Sequence, residues 1–381
     1  MYILLKPFYF WDSGLLQIAD FVLIFLILIS MIKIIISKKI TIPYPSFTVL
    51  SLLFLFYVVL VNSIWYIILG NENMFLTNNL FYIYNTLVML VILFLYYKNV
   101  EKFLKTFYCG IVTSIFVQSI LFFFVSGDET RTTLFFNNPN QLGYYSLLCL
   151  AFLMIIERKI NVKTSIFILS VICSFFLIFV SASLGAITGA LFIYISYILI
   201  AKKKGWIKYF SWLTVLFSIL FVYLLITNNP IVYNRFEILN KIIWRFQNSN
   251  VYGEGFITER AYDRIINHPE YWLFGAGEGL YTRFNSLADH EIHSTLANIF
   301  FSYGLIGFIL FLTMLVYIIK KNKWIYAYPV FAILIYGLTH NGIRQSMMWI
   351  MFSMLIIITG KIESHKVNGN KNGYKNNLIT V

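Results

Sequence analysis

Long stretches with no charged side chain recur along this chain, and they decide what solvent it folds in. No Asp, Glu, Lys or Arg occurs between Lys39 and Glu72, between Lys105 and Asp128, or between Lys163 and Lys202. An apolar run of about 20 residues is the length of a helix that crosses the hydrocarbon core of a bilayer. The chain has 381 residues, of which 60% are hydrophobic and only 12% charged, and its mean hydropathy is +0.78. That mixture excludes a soluble globular fold and a disordered chain. The expected fold class is an all-α polytopic membrane protein with about eleven spans of roughly 17–25 residues. The spans are expected at 15–36, 47–69, 78–97, 103–125, 140–156, 164–182, 184–201, 207–226, 293–319, 324–340 and 343–360. Residues 1–226 thus carry the first eight helices, 227–292 one large outer loop, 293–360 the last three helices and 361–381 a polar tail. Residues 1–14 are too short to span and are expected along the interface, with Trp11 at headgroup level.

Charge placement orients these spans. Lysines cluster in alternate connections: Lys33, Lys38 and Lys39; Lys98, Lys102 and Lys105; Lys159 and Lys163 beside Arg158; Lys202, Lys203, Lys204 and Lys208; Lys320, Lys321 and Lys323; and Lys361, Lys366, Lys371 and Lys375 in the tail. Short basic loops stay cytoplasmic, so the N-terminus is expected on the outer side and the C-terminus inside. The first apolar run has no basic segment before it, so it reads as its own insertion signal and not as a cleaved leader. The formal net charge of +13 is then explained by topology and lipid headgroups, which removes nucleic acid as a partner. Cys109, Cys149 and Cys173 lie in apolar runs without paired spacing, so they suggest neither disulfides nor a thiolate metal site.

Arginine is distributed differently. Arg131, Arg235, Arg245, Arg260, Arg264, Arg283 and Arg344 fall on the outer side, and only Arg158 falls inside. The positive-inside rule does not separate Arg from Lys, whereas the guanidinium fork binds phosphate and carboxylate bidentately. Pairing with outer acids is the plain alternative. Within the outer loop, residues 256–267 read as one amphipathic helix with Arg260 and Arg264 on a shared face, a candidate clamp for an anion. The run Phe274-Gly275-Ala276-Gly277-Glu278-Gly279-Leu280-Tyr281 reads as a tight turn offering backbone amides to an anion. The run Asp289-His290-Glu291-Ile292-His293 has H-x-x-H spacing, one residue short of a zinc-protease motif, and so suggests a titratable base and no metal site. Inside the spans Asp20 is the main ionisable residue, which argues against an ion-coupled permease.

Several of these segments resemble the O-antigen ligase/polymerase superfamily. Phe136-Asn137-Asn138-Pro139-Asn140-Gln141-Leu142-Gly143 is similar to the N-P-N signature that opens a span in that family. Arg260, then His268-Pro269 and Leu273-Phe274-Gly275-Ala276-Gly277-Glu278-Gly279, resemble its large outer loop. His293 with Leu296, and Tyr303-Gly304-Leu305-Ile306-Gly307, resemble the start of its next span. One position departs. In Ser181-Ala182-Ser183-Leu184-Gly185-Ala186, Leu184 stands where the family often has arginine, and Arg131 or Arg344 is the expected substitute.

The resemblance implies glycosyl transfer from a polyprenyl-diphosphate-linked glycan at the outer membrane face, with no metal and no cofactor. It implies catalytic roles for His293, as general base, and Arg260, and substrate-binding roles for Arg264, Arg131, Arg344, Asn138, Asn140, Gly275 and Gly277. Expected partners are the lipid-linked glycan, membrane lipids and a chain-length regulator. The start Pro7-Phe8-Tyr9-Phe10-Trp11 and the missing arginine favour a polymerase of O-antigen or capsular repeat units. A ligase acting on lipid A core and a non-enzymatic lipid-linked-glycan flippase are the alternatives.

Overall fold

The computed structural model describes residues 1–12, 14–37, 42–70, 72–125, 131–200, 254–286 and 288–369. The expected span at 207–226, most of the outer loop before Glu254 and the tail after Gly369 lie outside the described residues. Within them the chain is helical, with no strand, and seven helices are long and apolar enough to cross a membrane. The protein is therefore a multi-pass α-helical membrane protein. After a one-turn helix α1 (Tyr2–Leu5) come α2 (Ile18–Ser37), α3 (Pro45–Ile68), α4 (Asn73–Tyr96), α5 (Val100–Val125), α6 (Pro139–Glu157), α7 (Thr164–Ser181) and α8 (Leu184–Ile200). The segment expected as the outer loop, named the outer segment on that expectation, holds α9 (Glu254–Glu259) and α10 (Asp263–Asn267), and α11 (Thr295–Gly337) and α12 (Ser346–Gly369) follow.

The helices form two compact units. The first contains residues 3–17 and α5 from Tyr108 through α8. Its centre is α6, which packs against α7 and α8 and is buried on every side from Leu142 to Ile156. A helix apolar all round can only be an inner helix. The start of the N-terminal segment is tied to this unit: the Ile3 carbonyl accepts from Ser114 Oγ (3.1 Å) and Tyr145 Oη (3.0 Å). The second unit contains α2 to α4, the start of α5, and everything from α9 onward. There α3 pairs with α4, α2 and α12 pack on α4, and α11 packs on α3 and α12.

Helix α11 covers both of the spans expected at 293–319 and 324–340. A straight helix of 43 residues would be about 64 Å long. Yet Thr295 Oγ1 at its start lies 3.2 Å from the His340 carbonyl and 3.0 Å from the Gly342 amide. The element must therefore fold back on itself, as the lysines at 320–323 led one to expect.

It is also broken near its start. Gly304 adopts a left-handed φ of 61°. In an unbroken helix the Phe301 and Ser302 carbonyls would take the Leu305 and Ile306 amides. Here all four groups bond to the segment Tyr271–Gly279, called the strap below. Ala276 and Gly277 donate to the Phe301 and Ser302 carbonyls (2.9 and 2.8 Å), while Leu305 and Ile306 donate to the Trp272 and Leu273 carbonyls (2.7 and 3.5 Å). Two glycines permit this approach: a Cβ on Gly304 would lie 2.4 Å from the Leu273 oxygen, and one on Gly275 2.4 Å from the Ser302 oxygen. Gly70 gives the matched comparison, with a φ of 77° but open space around it. Both Gly→Ala changes should cost about 1–2 kcal/mol for the left-handed backbone. Gly304→Ala adds a backbone overlap, so its thermal midpoint in detergent should fall clearly below that of Gly70→Ala; equal midpoints would refute the strap contact.

Candidate functional site

The strap carries a carboxylate into the second unit. Glu278 is 0% exposed, and an ionised carboxylate so placed is stable only when it is paired and hydrogen-bonded. Its Oε1 accepts from Asn298 Nδ2 (3.1 Å) and Arg344 Nη2 (2.8 Å), and its Oε2 accepts from the Tyr303 hydroxyl (2.8 Å). Its amide donates to Asn62 Oδ1 (2.8 Å) and its carbonyl accepts from Asn78 Nδ2. Asn62 in turn donates to Asn79 Oδ1 (3.0 Å) and to the Tyr303 hydroxyl (3.3 Å). Glu278 thus joins α11 and the turn before α12 through its carboxylate, and α3 and α4 through its backbone. Arg344 reaches a second carboxylate, Glu291 Oε2, at 2.5 Å. Burial alone would push its guanidinium down, but the charges of Glu291 and Glu278 outweigh burial and hold it well above its ordinary range.

Around the strap the outer segment has a core of its own. Ala261, Ala276, Tyr281, Phe284, Ala288, Ile292 and Phe301 are buried together. Arginines cap its aromatic rings: Arg264 lies over Tyr281 and Phe284 (5.3 and 5.4 Å), and Arg283 over Phe284 and Trp65 (4.5 and 4.9 Å). Arg283 also donates to the Ala276 carbonyl, and burial brings its guanidinium down to about 10.

The single helix expected at 256–267 is two short ones. Helix α9 ends in a left-handed residue, Ala261, with φ 58°. The Tyr262 amide reaches back to the Ile257 carbonyl (2.8 Å) and the Ala261 amide to that of Thr258 (3.1 Å). This is the Schellman pattern of a helix C-terminus, formed here without glycine because Ala261 is buried in the small core. Arg260 and Arg264 consequently do not share one helix face. Arg264 is 1% exposed and uses its donors on the Ser286 hydroxyl (2.8 Å), the His290 carbonyl (2.7 Å) and the Ala288 carbonyl. It shapes the loop from inside, and the expected two-arginine clamp is not formed.

Arg260 and His293 do come together. The Arg260 carbonyl accepts the His293 amide (3.2 Å), and the half-buried guanidinium donates to the Thr339 carbonyl. Tyr262 Oη donates to the neighbouring Leu338 carbonyl (2.6 Å), so residues 260–262, 293–295 and 338–342 form one cluster. The rings of His290 and His293 stack with centroids 4.1 Å apart. Both Nδ1 atoms face the Glu291 carbonyl, at 2.8 and 3.2 Å. A carbonyl only accepts, so each Nδ1 carries the proton and the Nε2 of the neutral ring keeps its lone pair. Nε2 of His293 has no hydrogen-bond partner among the described residues. Burial first and then His290 push the His293 ring below its ordinary 6.5; the Glu291 carbonyl pulls the other way, and Arg260 adds a smaller downward push.

Other expected site residues fall differently. The Gly275 and Gly277 amides bond to the Tyr271 and Ser302 carbonyls (both 2.8 Å), so neither is offered to an anion. Arg344 is neutralised by its two carboxylates and brings no uncompensated positive charge to a phosphate. In the first unit Asn138 is the N-cap of α6, accepting from the Gln141 amide (3.0 Å), with Pro139 in the first turn. Asn140 Oδ1 accepts from Arg131 Nη2 (2.7 Å), while Arg131 Nε donates to the Ser181 carbonyl (3.2 Å). Arg131 therefore reaches the turn that precedes Leu184. Gly143 lets α6 approach the same turn, since a Cβ there would lie 2.7 Å from Ser181 Oγ.

Among the described residues no group of three or more His, Cys, Asp or Glu side chains is arranged to hold a metal. The chain matches no protein-family model and no curated protein. Removing one partner of a buried ion pair costs about 3–5 kcal/mol. Glu278→Gln should therefore lower the thermal midpoint sharply, whereas Thr282→Ala, at an exposed position of the same segment, should leave it unchanged. Similar midpoints for the two variants would show that Glu278 does not anchor the strap.

Proposed function

We propose that this chain is a membrane glycosyltransferase that polymerises polyprenyl-diphosphate-linked oligosaccharide repeat units into O-antigen or capsular polysaccharide. It would work at the outer face of the bacterial plasma membrane, with its N-terminus outside and its C-terminus cytoplasmic. The observation that carries this reading is the meeting of Arg260 with His293 on a strap-supported outer cluster, because these two residues come from separate motifs of the family resemblance. The acceptor hydroxyl attacks the anomeric carbon of the donor sugar. The bond from that carbon to the phosphate oxygen breaks, and the electron pair leaves with the polyprenyl diphosphate. The hydroxyl proton passes to His293 Nε2, the free lone pair of a ring held neutral. Arg260 faces the charge that develops on the diphosphate, where a positioned cation acts most strongly. Arg264 supports the loop and is not a substrate ligand in this scheme.

Tests follow from each part. His293→Ala and Arg260→Ala proteins that insert normally should each lose roughly 100-fold or more in kcat/KM; full activity in both would remove the site. Only the neutral ring is active, and its pKa lies below 6.5. Activity should therefore be complete above that pH and decline only beneath it, with the acid limb of the kcat/KM profile displaced downward. Deleting the gene should abolish the polysaccharide ladder and leave a single capped repeat unit. Loss of every capped product would indicate a ligase or flippase instead.

A further inference from the structure

The strap exposes apolar side chains that its backbone pairing does not account for. Trp272, Leu273 and Phe274 are 46%, 50% and 63% exposed, in a segment read from sequence as lying outside the membrane. Ile266, just before them, is exposed as well, and the Trp272 indole is fixed by a 2.7 Å bond to the Ile265 carbonyl. Water is a poor solvent for such a cluster.

The neighbouring element identifies what covers it. The Trp272 and Leu273 carbonyls bond to the Leu305 and Ile306 amides, which places the tip directly against α11. On α11 the side chains of Leu305, Ile306 and Ile309 are exposed too, within a stretch apolar enough to span a bilayer. The Trp272 ring also lies 6.3 Å from Phe300, so the apolar surface runs without interruption from the tip onto the span. The carbonyls of the tip suit an apolar phase. The carbonyls of Trp272, Leu273 and Phe274 all accept protein hydrogen bonds, the last from the Tyr57 hydroxyl at 3.0 Å. Irregular backbone enters a bilayer only when its polar groups are satisfied in this way. No charged residue lies between Glu270 and the buried Glu278.

We infer that the Trp272-Leu273-Phe274 tip inserts into the lipid leaflet on the side of the outer segment, as an interfacial anchor continuous with the lipid-facing surface of α11. The strap then has two holds, the Glu278 network on one side and the bilayer on the other. The anchor does not depend on the proposed chemistry, since any membrane protein with this strap would have it.

The test places an environment-sensitive thiol fluorophore at Phe274→Cys and, as a control, at the exposed Glu270→Cys. Both are made in full-length protein in which the accessible Cys109 and Cys173 are replaced by serine, reconstituted in lipid nanodiscs. The label at 274 should be blue-shifted and quenched roughly twofold or more better by doxyl-labelled lipid than by aqueous iodide, as for a side chain about 5–10 Å into the headgroup boundary. The label at 270 should show the reverse preference. Equal iodide access at the two positions would overturn the inference. Protection of the 274 label from both quenchers would overturn it too, by showing that protein and not lipid covers the tip.

Discussion

The second unit depends on a buried carboxylate placed where a helix is broken. Glu278 would be strongly unfavourable in an apolar interior on its own, so every group around it is constrained to face it. Asn298 and Tyr303 come from α11, Arg344 from the turn before α12, and Asn62 and Asn78 fix its backbone from α3 and α4. Their joint requirement fixes the strap, and the strap supplies the hydrogen bonds that α11 lacks around Gly304. Arg344 carries the constraint one step outward to Glu291, the residue whose carbonyl orients both histidines. The geometry at His293 is in this sense a consequence of how Glu278 is satisfied.

What sequence reasoning captured was periodicity and order along the chain. The spans at 47–69, 140–156 and 164–182 match α3, α6 and α7 to within two residues at each end, because an uncharged apolar run in a membrane has few other solutions. The lysines at 320–323 correctly marked a reversal. What was not legible was partnership. The arginine asymmetry was noticed, but a composition argument cannot separate a guanidinium facing solvent from one enclosed by carbonyls, as Arg264 is, or by carboxylates, as Arg344 is. Glu278 passed as one member of a glycine turn. A signal was available in the asparagines: Asn62, Asn78, Asn79 and Asn85 occupy otherwise apolar helices, and buried amides in a membrane must find partners. A search confined to ionisable residues inside the spans passes over them.

The glycine run shows the same limit in another form. Gly275 and Gly277 invite the reading of an anion-binding turn, since glycine-rich backbone often presents amides to phosphate. Which amides remain free depends on what else approaches, and here the approaching group is the broken end of α11. The glycines make room for the Ser302 and Tyr303 backbone and for the rings of Trp65 and Phe75. Close approach of backbone at Gly275 and of aromatic rings at Gly277 is what excludes a side chain at these positions.

The stacked histidines add a constraint on proton handling. One carbonyl, that of Glu291, accepts from both Nδ1 atoms, which fixes both rings in the same tautomer. With centroids 4.1 Å apart, His290 opposes a proton on the His293 ring, and the nearby Arg260 charge opposes it too, more weakly. A group that takes up a proton during transfer must release it before the next turnover, and repulsion from a cationic neighbour favours that release. In the proposed scheme, the Arg260 guanidinium that would stabilise a departing diphosphate would also help return His293 to its neutral form, so one charge would serve both halves of the cycle.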